Sequence, residues 1–175
     1  PFDNLTIDWR HALRSAVDEE LAPVVIGIAD SSFTLAERAP AEVARDPMLA
    51  ELGRPWPWDR RVFAAVVRRL RAAGARAIVF DIVFAAQTAG DADFAAALAE
   101  SGAPVVLAAL FQEQHSAEGE GMATLLEPRP EFLAGANVTT GFANVMNDRD
   151  GVVRRTWLAA STGSVLAWWT EPAAG

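Results

Sequence analysis

Residues 75–84 read ARAIVFDIVF, a run of Ile, Val and Phe that reads as the most buried strand of the chain. One carboxylate, Asp81, interrupts it. An unpaired buried charge costs several kcal/mol. Asp81 is therefore expected to have a partner, to stand at the mouth of a cleft, or to face water.

The flanking sequence sets the context of this strand. Upstream, Asp59 can cap a helix RRVFAAVVRRLRAAG, whose Val62, Phe63, Val66, Val67 and Leu70 fall on one core stripe and whose stop is Gly74. Downstream come a helix near 91–101 and a strand PVVLAAL (104–110). Earlier in the chain VVIGIAD (24–30) is too short and β-branched for a helix and reads as a strand. Alternation of strands and helices implies parallel pairing with right-handed crossovers. The expected fold class is α/β, a mainly parallel sheet with flanking helices plus a C-terminal β-hairpin. Residues 24–30, 76–82 and 104–110 are expected as parallel neighbours, with helix 60–73 packed across them through Val66, Val67 and Leu70.

The remaining segments read more simply. DNLTIDWRHALRSAV (3–17) places Leu5, Trp9, Ala12, Leu13, Ala16 and Val17 on one helical stripe. Residues 31–54 form a long connection with a helical turn around 41–51, and 112–125 read as an exposed polar loop. Residues 141–160 read as two strands joined by a tight turn at 147–151, with Asp150–Gly151 as the hairpin signal.

Composition narrows the function classes. The chain has 175 residues, 51% of them hydrophobic, which suffices for one core. All fifteen basic residues are Arg, against 23 acids, for a formal charge of −8. With no basic tract, nucleic acid is not expected as a partner. Absence of Cys excludes a disulfide framework and a thiolate metal site. No apolar run reaches the ~18–20 residues of a membrane span, so the chain is read as a soluble domain.

Candidate chemistry begins with the carboxylates. If Asp30 and Asp81 lie at the ends of neighbouring parallel strands, both point into the rim where open α/β sheets bind ligands. There they can share a ligand or a hard cation such as Mg²⁺ or Ca²⁺. In the other reading Asp30 caps a turn through Ser31 and Ser32, and Asp81 pairs with an arginine. In PWPWDRR (55–61), Trp56 and Trp58 read first as a rigid plug on the core and second as an aromatic wall for a ligand. Arg154 and Arg155 follow the hairpin turn and face opposite ways on a strand, so at most one reaches the acidic rim.

Other signatures fail. NDRDG (147–151) has the wrong spacing for a calcium loop, because Met146 and Trp157 would occupy the first and last ligand positions. No P-loop, GxGxxG, GxSxG or HExxH occurs, and His11 and His115 do not suggest a zinc site.

The motif order resembles a known family. DNLTIDWRHALR, VVIGIADSSF, WPWDR followed by GAxAIxFDIxF, then DADFAAAL and DRDGVVRR, together resemble the type-two CHASE domain. That is the extracellular sensory module of bacterial receptor adenylate cyclases, histidine kinases and Ser/Thr kinases. The resemblance implies that residues 3–17 begin just outside a membrane, with the parent chain membrane-anchored and the domain extracytoplasmic. It implies that the domain senses something and has no catalytic residues of its own. The expected signal is an unknown small molecule or ion, and from the carboxylates alone the only cofactor considered is Mg²⁺ or Ca²⁺ at Asp30 and Asp81. Two chains are expected to pair as a homodimer. Family members continue into another helix and a late strand, whereas this chain runs TGSVLAWWTEPAAG. The single sensory domain expected over residues 1–175 is therefore read as incomplete. The tentative ligand-binding set is Asp30, Ser31, Asp81, Trp56, Trp58 and Arg154. The alternative function is a metal-dependent hydrolase using Asp30 and Asp81.

Overall fold

The computed structural model describes Arg10, Leu13, residues 23–34, Glu37, residues 40–115, 121–145 and 152–153. The chain divides into two compact units. The described part of the larger is residues 29–34, Glu37, residues 40–115 and 121–144; that of the smaller is Arg10, Leu13, residues 23–28, Val145 and residues 152–153. The expected helix over 3–17 (Arg10 and Leu13 apart), the turn of the C-terminal hairpin and Arg154 lie outside the described residues.

The larger unit opens with three short helices, α1 (Asp30–Phe33), α2 (Pro40–Val43) and α3 (Pro47–Leu52). Asp46 caps α3 by accepting the Met48 N–H at 2.9 Å. The long helix α4 (Arg60–Ala72) begins where the sequence places it, with the Asp59 carboxylate accepting the Arg61 N–H at 2.9 Å. It ends in a Schellman motif. Gly74, at φ +88°, lets its own N–H reach the Arg71 carbonyl and the Ala75 N–H reach the Leu70 carbonyl. Helix α5 (Asp91–Glu100) starts after Gly90, whose φ is +78°. A Cβ at Gly90 would lie 2.3 Å from Asp59 Oδ1, so only glycine lets the starts of α4 and α5 meet this closely.

The sheet has four strands, β1 (Ile78–Phe80), β2 (Val105–His115), β3 (Gly121–Leu126) and β4 (Val138–Phe142). Its hub is β2. Residues 105–107 pair in parallel with β1 on one side and with β4 on the other, giving rows Ile78–Val105–Val138 and Phe80–Leu107–Thr140. Further along, β2 pairs antiparallel with β3, from Leu110–Leu126 to His115–Gly121.

Two expectations need correction. Residues 24–28 form no strand: among the described residues they have no ladder partner, Val24, Val25, Ile26 and Ile28 are exposed, and Asp30 starts a helix. The second parallel neighbour of β2 is β4. β-Branched content makes a segment suited to a strand, but a strand exists only where another backbone offers a ladder. The expected loop over 112–125 is in its described part strand, because β2 runs on to His115 and β3 returns beside it. The α/β class itself holds.

The core lies between the sheet and helices α4 and α5. Val62, Phe63, Ala64 and Val67 of α4 meet Phe94, Ala97 and Leu98 of α5 over Ile78, Phe80, Val105 and Leu107. Phe84 and Phe132 complete it, and both have no exposed surface. Val66 and Leu70 are only partly buried at its margin. The rings form one continuous contact: Phe63 touches Phe80, Phe84 and Phe94 at 5.1–6.2 Å between centroids, mostly edge to face.

Candidate functional site

Asp81 answers its own question. It lies one residue past the end of β1, and its side chain is exposed. Among the described residues its carboxylate makes no hydrogen bond or ion pair, so it avoids the cost of burial by facing water.

Asp30 is likewise exposed, and likewise unpaired among the described residues. Its setting is a one-turn helix and not a strand end, so the strand-neighbour geometry that would bring it to Asp81 does not hold. The turn is held by the Ser32 N–H donating to the Ala29 carbonyl at 2.8 Å and the Ser32 hydroxyl accepting the Ala29 N–H at 3.3 Å. Ser31 is exposed, and its carbonyl accepts from the Thr34 hydroxyl at 3.4 Å.

A path of aromatic contacts connects the elements that carry these acids. Phe33, on the α1 turn, sits 5.3 Å from Trp58 between ring centroids. Trp58 is 6.4 Å from Phe63, and Phe63 is 6.2 Å from Phe80, the residue before Asp81. Trp58 is the plug: it is 4% exposed, and its indole N–H donates to the Arg54 carbonyl at 3.1 Å. Trp56 leans edge-on against Trp58 at 5.5 Å yet keeps 47% of its surface exposed, so it is the member that solvent can reach.

Beside the plug lies a shallow concavity lined by Glu51, Arg54, Pro55, Pro57, Trp58, Asp59, Thr88 and Ala89. Its charged groups are already matched. Glu51 pairs with Arg54 at 3.3 Å, and Asp59 takes a bidentate guanidinium from Arg61. The Arg61 hydrogen bond, helped by the Arg61 backbone N–H, holds the Asp59 carboxyl below its ordinary range, against a smaller opposing effect of burial.

Sequence reading missed a buried charge network behind this concavity. The Arg60 side chain is 3% exposed, with Nε 3.5 Å from Asp91 Oδ1 and Nη2 donating to the Ala86 carbonyl at 3.2 Å. Its guanidinium lies 4.7 Å from the centroid of Phe84. Asp91 also accepts the Thr88 N–H at 3.1 Å and the Thr88 hydroxyl at 3.2 Å, and stands 3.6 Å from Arg129 Nε. Burial lowers the Arg60 pKa; Asp91 opposes the shift and Arg129 adds to it. A signal was present, since Arg60, Phe63, Ala64 and Val67 follow the helical spacing of the core stripe. An arginine at such a position needs a buried carboxylate.

A model of the CHASE2 domain matches residues 1–173, nearly the whole chain. The chain belongs to the CHASE2 family. CHASE2 domains are extracellular sensory modules found in receptor cyclases and kinases, so the family's role is to sense and not to catalyse. No curated protein and no solved structure matches the chain. Among the described residues of this CHASE2 domain no helix is long and apolar enough to cross a membrane, and no group of three or more His, Asp or Glu is arranged to hold a metal.

Proposed function

We propose that this chain is the extracytoplasmic input domain of a bacterial transmembrane receptor whose output is an adenylate cyclase or a sensor kinase. The observation that carries the reading is the family match over residues 1–173. In support, Asp30, Asp81 and Trp56 are all exposed, and both carboxylates are unpaired among the described residues. A small-molecule or ionic signal binds at these groups and shifts the equilibrium between two arrangements of a homodimer. Membrane helices of the parent chain carry that shift to the cytoplasm. A ligand acts only through its differential affinity for the two arrangements, with a typical coupling of ~1–3 kcal/mol.

The test has two arms. Receptor output is recorded with Asp30→Asn and Asp81→Asn in the full parent chain, with membrane insertion and folding checked. Altered output at normal insertion supports sensing through these groups. The purified chain is also assayed for ester and phosphoester hydrolysis with Mg²⁺ or Ca²⁺. Turnover abolished by the same substitutions would replace the sensory reading with that of a metal-dependent hydrolase.

A further inference from the structure

We infer that Phe33 and Trp56, with Asp30 one helical turn from Phe33, form a binding surface for a small organic cation of the alkylammonium type. The buried Trp58 is the rigid backing on which both rings lean. Phe33 and Trp56 flank it at 5.3 and 5.5 Å, tilted from it by 44° and 62°, and remain 39% and 47% exposed. Flanking rings that keep this much surface open offer π faces or edges to a ligand. The Trp58 indole N–H is committed to the Arg54 carbonyl, which fixes this backing ring in place.

Charge decides the class of ligand. Asp30 and Phe33 are separated by three positions on one helical turn, which puts them on the same side of it. The Asp30 carboxylate is exposed and makes no hydrogen bond or ion pair among the described residues, in a chain of net charge −8. A purely apolar ligand would press against this carboxylate and strip its water, whereas an alkylammonium satisfies the carboxylate and the ring faces together. No internal cation occupies the site: among the described residues the only guanidinium over an aromatic ring is that of Arg60, above Phe63 and Phe84. A hard divalent ion is disfavoured because it takes six or more oxygen ligands, and rings supply none.

This inference deepens the sensory reading and rests on it for its meaning, but its test needs no receptor output. Tetramethylammonium chloride is titrated into the ¹⁵N-labelled 175-residue chain while the indole N–H of Trp56 is followed. Sodium chloride at equal ionic strength and tert-butanol serve as the charged and neutral controls. The expected result is a saturable shift with tetramethylammonium alone. Trp56→Leu, followed through backbone amides near Phe33, should weaken binding about threefold or more, as loss of an exposed cation–π contact implies. Asp30→Asn alters an exposed, unpaired group, so it leaves the fold intact and decides the matter if Trp56→Leu unfolds. It should weaken binding most at low salt. Absence of saturation, an equal response to tert-butanol, unchanged affinity in Asp30→Asn, or stronger binding of Mg²⁺ or Ca²⁺ at the same resonances would overturn the inference. Any of these outcomes leaves the receptor-output test intact, so the two readings can fail separately.

Discussion

The Asn144 side chain extends the sheet beyond the end of β4 by imitating a strand at Phe111. Its Oδ1 accepts the Phe111 N–H at 2.7 Å, and its Nδ2 donates to the Phe111 carbonyl at 2.8 Å. The preceding Ala143 N–H still reaches the Ala109 carbonyl at 2.9 Å, so the carboxamide takes over where the backbone ladder stops.

Asn144→Ala should therefore destabilise the domain by about 1–3 kcal/mol, because two part-buried backbone groups lose their partners. Asn144→Asp keeps the acceptor but at neutral pH loses the donor and opposes a carboxylate to the Phe111 carbonyl. Urea unfolding with an unchanged slope checks both. A loss below ~0.5 kcal/mol for Asn144→Ala would show that water replaces the side chain.

The Arg60–Asp91 pair predicts a larger effect with a characteristic cycle. Asp91→Ala leaves the Arg60 guanidinium buried without its counter-charge and should cost about 3–5 kcal/mol. The double variant Arg60→Met/Asp91→Ala removes the stranded charge and keeps apolar volume against Phe63 and Phe84. It should be more stable than Asp91→Ala alone. Chemical denaturation of the parent chain, Asp91→Ala, Arg60→Met and the double variant measures the coupling, and additive losses would contradict the buried-pair account.

Legibility of the fold followed the range of the interactions. Helix α4 was readable because its cap, stripe and stop are all local: Asp59, the Val62–Phe63–Val67 face and Gly74. Strands β1 and β2 were readable as apolar runs. Residues 24–28 carry the same local signal, yet among the described residues no backbone pairs with them, and pairing is a non-local fact. Strand β4 (VTTGF) reads late, as a hairpin strand starting at 141, because Val138–Thr140 are too short and polar to announce themselves; its place is set by the Val105–Val138 register. The β2–β3 hairpin passed for a loop because Gln112, Glu113 and Gln114 are polar throughout. At the site, Trp56 and Trp58 read alike, first as a plug; the structure makes Trp58 the plug and leaves Trp56 exposed, whereas Arg60 and Asn144 depend on partners 31 and 33 residues away.

Acid should loosen the start of α4. The Asp59 carboxyl is held below its ordinary range chiefly by Arg61, so its folded-state pKa is lower than its unfolded one. Its stabilising contribution is full above the unfolded value of ~3.9 and is lost as pH falls through the folded value. Asp59→Asn keeps a cap acceptor for the Arg61 N–H but carries no charge. Its stability deficit relative to the parent chain should therefore shrink below about pH 4. Thermal melts of both proteins across pH 2–6 provide the check, and a deficit independent of pH would assign Asp59 a capping role alone.

The central claim is that this domain controls an output located elsewhere in its parent chain. The most direct measurement replaces residues 1–173 of the membrane-embedded receptor with a flexible Gly/Ser linker and records basal cyclase or kinase output per inserted molecule. An input domain biases a two-state equilibrium even without ligand, so its removal should change basal output several-fold, within the roughly 5- to 150-fold range of typical couplings. The catalytic part should remain competent when assayed after solubilisation. Unchanged basal output from a correctly inserted receptor would contradict the account.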